Sequence, residues 1–352
     1  MNRRKFDLEA LLRPNILKLS PYSTARDEYQ GPLGVFLDAN ESPYPSLWHR
    51  YPDPRQKALK ERIAAVKGVR AEQIFLGNGS DEAIDLIFRI FCVPGKDNVV
   101  AIAPSYGMYS VSADINDVEV RSVLLRDDFS LDAEALLAAC DSRTKAIFLC
   151  SPNNPSGNAF PRTQIFDILD RFEGVVVVDE AYADFSSEPS LLDSLDEWPG
   201  LIVLQTFSKA RGLAALRLGL AFGNPATMKY FSMVKYPYNI NEATQKLALE
   251  SLEGSISAQV EEIKAQRERL ALALPAFSFV EKVFPSEANF LLVKVDDADA
   301  MYDFLISRGI IVRNRTRVPL CEGCLRITVG TPSENDKLLK AFTEYEESYI
   351  RR

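Results

Sequence analysis

The sequence predicts an α/β fold, with a mainly parallel sheet sandwiched by helices in a large domain and a smaller α+β domain after it. Two observations carry this. From about Gln56 to Ala221, short β-branched runs alternate with stretches of helical periodicity, and such alternation requires crossovers and hence parallel strands. From about Ala243 onward the pattern becomes one long helical stretch, then short apolar runs interleaved with two helical ones. A chain of 352 residues also exceeds one comfortable core. The expected organisation is an N-terminal arm over 1–30, a large domain over 31–245 and a small domain over 246–352 that opens with a connecting helix.

The first fifty residues are rich in Pro, Asn, Tyr and Gly, which suits an arm lying over something else better than a core. Helical periodicity follows at 81–91, a strand at 98–103, a helix at 131–140, a strand at 146–150, a helix at 162–172 and strands at 175–178 and 201–204. The stretch 243–274 predicts the connecting helix, with Glu261, Glu262, Lys264 and Arg267 along one side. The remainder predicts strands at 290–295, 310–313 and 324–329 and helices at 298–308 and 334–347. In a sheet of this kind ligands sit beyond the carboxyl ends of the strands.

Composition narrows the function classes. With 41 basic and 49 acidic side chains the net charge is −8, which disfavours nucleic acid and anionic membranes as partners. No run of about 18 apolar residues suggests a membrane span, and the basic start Asn2-Arg-Arg-Lys5 leads into no apolar signal core. Five cysteines, an odd number, do not make a disulfide framework, so a cytoplasmic location is expected. Cys321 and Cys324 have CxxC spacing, but a zinc site needs two further ligands and His49 is the only histidine, so no metal is expected. His49 lies in a proline-rich loop, which also disfavours a Ser-His-Asp hydrolase.

Polar residues follow the predicted strands one after another. The apolar run from Leu201 ends in Thr206, Ser208 and Lys209. An ε-amine there can form an imine with an aldehyde cofactor if burial or a nearby cation lowers its pKa; otherwise it is a solvated lysine. Thirty residues earlier Val175-Val-Val-Val178 ends in Asp179, with Tyr182 just beyond. A buried carboxylate would keep a pyridine nitrogen protonated, and the tyrosine could donate to a phenolic oxygen; alternatively Asp179 and Glu180 only cap the next turn. Together these residues suggest pyridoxal phosphate chemistry. Arg217, eight residues after Lys209, could clamp a phosphate. Gly77-Asn-Gly-Ser80-Asp-Glu82 runs into a helix whose free N–H groups suit an anion, although Ser80 could be only an N-cap. Tyr106, after another strand, could lie against a planar ring, and Ser151-Pro-Asn-Asn154-Pro-Ser-Gly157 holds an amide in a rigid turn. Such convergence beyond strand ends favours a ligand site over ordinary loops.

The motifs Ser151-Pro-Asn-Asn-Pro-Ser-Gly157, Val178-Asp-Glu-Ala-Tyr182 and Thr206-Phe-Ser-Lys209 with Arg217, in that order, resemble those of the fold-type I aminotransferases, over nearly the whole chain. Within that group Leu19-Ser-Pro-Tyr22, Asp38-Ala-Asn-Glu-Ser-Pro-Tyr44, Arg50-Tyr-Pro-Asp-Pro54 and Cys324-Leu-Arg-Ile-Thr-Val-Gly330 are similar to the histidinol-phosphate aminotransferases. Ser156 stands where many relatives carry threonine, a conservative departure.

The resemblance implies a pyridoxal phosphate transferase fold and assigns roles residue by residue. Lys209 would hold the cofactor and carry the Cα proton, Asp179 would pair with the pyridinium, and Tyr182 and Asn154 would bind the phenolic oxygen. Tyr106 would stack on the ring, while Ser80, Asp81, Thr206, Ser208 and Arg217 would hold the phosphate with Tyr51 of a second subunit, so that a homodimer is implied. Arg326 would bind the α-carboxylate of glutamate or 2-oxoglutarate, with Arg313 and Tyr22 as candidates for the phosphate of histidinol phosphate; the cations Arg313, Arg315 and Arg317 near the expected substrate mouth favour a phosphate, unless they only face solvent. The implied activity is transamination between histidinol phosphate and 2-oxoglutarate. The alternatives are an aromatic amino acid aminotransferase, a decarboxylase of a phosphorylated amino acid, and a regulator that binds the cofactor without turnover.

Overall fold

The computed structural model describes residues 6–22 and 34–350; residues 1–5, 23–33, which include part of the predicted arm, and 351–352 lie outside it. Seven strands make the central sheet: β1 (Ile74–Asn78), β2 (Asn98–Ala103), β3 (Glu119–Leu124), β4 (Thr144–Cys150), β5 (Val175–Asp179), β6 (Leu201–Thr206) and β7 (Leu218–Gly223), in the order β1-β7-β6-β5-β4-β2-β3. Only β7 runs antiparallel to its neighbours, β1 and β6. The predicted mainly parallel α/β architecture is what the chain adopts.

The apolar strands are buried on both faces, and alternate residues feed two different cores. Ile147, Leu149, Val176, Val178 and Val203 point to one side, against Leu59, Ile63, Leu136, Ile165 and Ile168 of the helices there. Ala146, Phe148, Val175, Val177 and Ile202 point to the other, against Ile84, Ile87, Phe88 and Phe231. This two-sided covering is why the strands read as continuous apolar runs. The described part of the arm docks on the second core through Leu12 and Ile16, and the Arg13 N–H donates to the Ile90 carbonyl at 3.0 Å.

Three strands of this sheet escaped the periodicity reading. β3 is an edge strand with no fully buried residue. β1 and β7 carry glycines, Gly77 in one and Gly219 and Gly223 in the other, which dilute the β signal.

The second sheet is antiparallel: β8 (Val280–Val283), β9 (Phe290–Val295), β10 (Arg313–Asn314) and β11 (Cys324–Thr328), in the order β10-β11-β9-β8. One face packs through Leu291, Val293, Leu325 and Ile327 onto Met301, Leu305 and Phe342. From the other, Leu292 and Cys324 join the first core of the central sheet. Two expectations need correction. The single helix over 243–274 is two, Glu242–Ser251 and Ser257–Ala273, parted around Gly254. The strand over 310–313 shrinks to Arg313–Asn314, because Gly309 (φ +71°) ends the preceding helix and the Ile310 N–H turns back to the Leu305 carbonyl at 2.9 Å. Cys321 and Cys324 are buried free thiols, pushed up to about 12 and about 11 by burial, and serve as apolar filling. Among the described residues no helix is long and apolar enough to cross a membrane.

One close approach sets the geometry near the site. Gly79 (φ +71°) turns β1 directly into the helix Gly79–Phe91, and β7 passes so near that a Cβ on Gly219 would lie 2.1 Å from the Ser80 nitrogen. Backbone cannot move aside as a flexible side chain can. Gly219→Ala is expected to destabilise the protein by about 1–3 kcal/mol, measured by chemical denaturation; an unchanged midpoint would contradict so tight a contact.

Candidate active site

Beyond the carboxyl ends of β4, β5 and β6 lies a cavity of about 150 Å³. Ser80, Asp81, Tyr106, Asn154, Asp179, Tyr182, Thr206, Ser208, Lys209 and Arg217 all line it. They come from separate segments because parallel strands end level: Cys150 pairs with Asp179, and Asp179 with Leu204.

Asp179 is buried at the floor. Tyr109 Oη donates to its Oδ2 at 2.9 Å and the Ala181 N–H to its Oδ1 at 3.1 Å. No ion pair with it is formed among the described residues, and burial raises its pKa to about 6 against the opposing effect of these two donors. Glu180, next to it, does something different: it accepts from Ser190 Oγ, the Leu191 N–H and Gln205 Nε2, and so fastens a loop to β6.

Lys209 is the amine facing this floor. Its Nζ lies 5.6 Å from the centre of the Tyr182 ring, and its pKa is lowered first by burial and then by Arg326, with a smaller contribution from Arg217. A lowered pKa raises the share of the neutral amine, the form that acts as a nucleophile. Tyr182 packs edge-on against Phe290, with ring centres 5.2 Å apart.

The opposite end suits an anion. The helix Gly79–Phe91 begins here with no side-chain cap, and the N–H groups that follow Gly79 in its first turn have no partner within the helix. Thr206 Oγ1 and Ser208 Oγ are 2.9 Å apart beside it. Arg217 takes a left-handed backbone (φ +53°), its carbonyl accepts from the Gly79 N–H at 2.6 Å, and its guanidinium reaches Asp81 Oδ2 at 3.4 Å. Asp81 also accepts from Tyr106 Oη at 3.0 Å. Its carboxylate therefore positions an arginine and a tyrosine, and only its backbone N–H is suited to meet an anion. Ser80 is not the N-cap, a position that Asn78 occupies.

Arg326 reaches the cavity from the second sheet: its guanidinium donates to Asn154 Oδ1 and lies 5.3 Å from the Phe290 ring centre. Arg313 stands directly opposite it across β10 and β11, with its side chain exposed. Two predicted residues lie elsewhere in the monomer. Tyr51 stacks on Tyr238 with ring centres 4.5 Å apart and lines a separate hollow of about 570 Å³. Tyr22 is exposed and lines another, with Pro54 and Lys60.

Tyr109 was missed by sequence reasoning, although a signal existed. Three residues after Tyr106, it lies one helical turn on and faces the core, where a phenol needs a hydrogen-bond acceptor.

Residues 21–342 match the family model described as aminotransferase class I and II. The chain belongs to the class I and II aminotransferases. It is 57% identical over 337 residues to the histidinol-phosphate aminotransferase of Parabacteroides distasonis, covering 95% of this chain and 98% of that one. With the enzyme of the same name from Bacteroides fragilis it shares 55% over 342 residues, 96% of this chain and 99% of that one. The crystal structure of histidinol-phosphate aminotransferase from Sinorhizobium meliloti in complex with pyridoxal-5'-phosphate superposes with a TM-score of 0.78 at 26% identity, covering 85% of this chain and 83% of that one.

Pyridoxal phosphate is the cofactor of this aminotransferase family, and the residues present fit it. A buried carboxylate in no ion pair among the described residues suits a pyridinium, a helix start with Arg217 suits a phosphate, and an amine of lowered pKa lines the same cavity.

A pH dependence follows from Asp179. Pairing with a pyridinium stabilises the ionised carboxylate, so cofactor affinity should be full above about pH 6 and fall as pH drops through that value, where the free protein's Asp179 takes up a proton. Tyr109→Phe removes a donor that holds this pKa down, so the break should move to higher pH. Fluorescence titration of pyridoxal phosphate in a Lys209→Ala background isolates the effect; an unmoved break would show that Tyr109 does not tune the carboxylate.

Proposed function

We propose that this chain catalyses reversible transamination between L-histidinol phosphate and 2-oxoglutarate, giving imidazole acetol phosphate and glutamate, as a step of histidine biosynthesis. The observation that carries the reading is Arg326, brought from the second sheet to the rim of a cavity that holds an amine of lowered pKa. The names of the relatives at 57% and 55% identity support the donor.

Bound pyridoxal phosphate supplies the electron sink and carries the amino group between half-reactions. Lys209 Nζ would hold the cofactor until the substrate amine displaces it, and would then carry the proton between the substrate Cα and the cofactor. Asp179 stays ionised to hold the pyridinium proton, while Tyr182 and Asn154 bind the phenolic oxygen and Tyr106 lies against the ring. The backbone at Ser80 and Asp81, the hydroxyls of Thr206 and Ser208, and Arg217 bind the phosphate.

Arg326 takes the α-carboxylate of glutamate, Arg313 meets the donor's phosphate, and Tyr22 closes over it. Tyr51, placed away from its own chain's cavity, completes the site of a second copy. A homodimer is further supported by the exposed apolar side chains Val35, Leu37, Tyr44, Leu47 and Trp48 in the same stretch of chain. Five free cysteines accord with a cytoplasmic enzyme.

Lys209→Ala is expected to keep the fold and abolish multiple turnover; appreciable turnover would remove Lys209 from its role. Glutamate should convert the visible absorbance of the loaded protein to that of the amine form, whereas a regulator that only binds the cofactor would leave it unchanged. Kinetics with histidinol phosphate, phenylalanine and tyrosine as donors then test the substrate. A preference for either aromatic amino acid would overturn the assignment.

A further inference from the structure

Arg315 has no part in the roles assigned above. The Arg315 N–H donates to the Cys324 carbonyl at 2.8 Å, so the pairing of β10 with β11 continues one residue past Asn314. With a period of two, Arg315 shares a sheet face with Arg313, and Arg326 lies on that face opposite Arg313.

This face looks into the site. Arg326 reaches Asn154, and the charges of both Arg326 and Arg315 act on the Tyr182 hydroxyl, which lines the cavity. The titratable neighbours that act on Arg315 are Arg313, Cys321 and Tyr182, and those that act on Arg326 are Arg315, Tyr182 and Arg313; no carboxylate is among them. None of the three arginines forms an ion pair among the described residues. The Nε atoms of Arg315 and Arg326 are both buried without an acceptor. Buried donors on uncompensated cations are costly, and an anionic ligand relieves that cost.

Arg315 differs from Arg313 in setting. Arg313 is exposed, where solvent screens its charge; Arg315 is partly buried. The chemistry of the donor explains a need for both Arg326 and Arg315. In histidinol phosphate a CH₂–O–phosphate group replaces the carboxylate on Cα. The anion then sits two atoms farther out and carries close to two charges, so one guanidinium placed for a carboxylate neither reaches nor neutralises it fully.

We propose that Arg315 is a specificity residue which, with Arg326, binds the phosphate of the phosphorylated amino donor. This rests on the reading of the donor given above. Glutamate, with its carboxylate held at Arg326, depends on Arg315 less.

The test compares holoenzyme kinetics of the unaltered protein, Arg315→Gln, Arg315→Lys and Arg313→Gln, with histidinol phosphate and with glutamate as donor. Arg315→Gln is expected to lower kcat/KM for histidinol phosphate on the order of 10- to 100-fold, the worth of a charge-assisted contact. The ratio of kcat/KM for histidinol phosphate to that for glutamate should fall about tenfold or more. Arg315→Lys should recover part of the loss, Arg313→Gln should cost less, and inorganic phosphate should compete more weakly against Arg315→Gln than against the unaltered protein. The cofactor spectrum and melting temperature report folding, and Arg315→Lys carries the test if the glutamine variant does not fold. Equal losses for both donors, or an unchanged ratio in a folded variant, would overturn the role of Arg315 alone. If the unaltered protein fails to use histidinol phosphate, the functional reading falls and this inference with it.

Discussion

The site depends on a buried carboxylate that forms no ion pair among the described residues. Asp179 receives one hydrogen bond on each oxygen, from Tyr109 and from the Ala181 N–H, yet neither donor cancels its charge, and its pKa is raised to about 6. A protein keeps such a group only where something else offsets its desolvation. The opposite problem is set at the substrate end, where Arg326 and Arg315 have no carboxylate near them. Charges elsewhere find partners readily, as Arg162 does with Asp193 and Arg121 with Asp141. The cavity thus has an anion in no ion pair at its floor and cations in none toward the second sheet, and both Asp179 and Arg326 act on Lys209. The cations and burial lower the lysine's pKa, so the polarity that awaits a ligand also prepares the nucleophile.

The phosphate end is built from backbone more than from charge. Gly79 turns β1 into its helix, Arg217 adopts a left-handed conformation to present both a carbonyl to Gly79 and a guanidinium to Asp81, and Gly219 lets β7 pass against that turn. A side chain at Gly219 would displace the helix start relative to β6, and with it the helix N–H groups relative to Thr206 and Ser208. The glycines that hid β1 and β7 from periodicity are among the residues that make the anion site possible.

That trade explains how much was legible in the sequence. β4, β5 and β6 announce themselves because burial on both faces leaves only apolar residues. The abrupt change at Asp179 and Lys209 marks where the sheet ends and chemistry begins. Tyr106 and Asn154 could be placed for the same reason, each lying shortly beyond a strand, and Arg217 by its spacing from Lys209. What escaped depends on neighbours distant along the chain. Tyr109 matters because Asp179 lies 70 residues away; Arg315 was legible as a cation near the substrate mouth, but its place beside Arg326 follows only from the pairing of β10 with β11. Tyr51 and Tyr22 show the converse: motif resemblance names them, while the fold of one chain leaves them outside its cavity.

On the proposed roles the two sheets would carry different halves of the reaction, which would make their relative placement itself a catalytic variable. Arg326 bridges them by donating to Asn154. Arg267, a buried arginine on the helix Ser257–Ala273, fixes the same junction from behind: its Nη1 donates to the Phe185 carbonyl at 3.3 Å and the Ala288 carbonyl at 2.9 Å. Phe185 follows Tyr182 by three residues, and Ala288 precedes β9, the strand that pairs with β11 and so carries Arg326. The Ser187 N–H to Glu287 at 2.6 Å and the Glu287 N–H to the Gly157 carbonyl at 2.7 Å tighten the same seam. The consequence is positional. On the proposed roles, the guanidinium that would select the substrate anion is tied in place relative to the tyrosine and lysine that would meet the cofactor, and an error of about 1 Å in such a placement is enough to cost a large factor in rate.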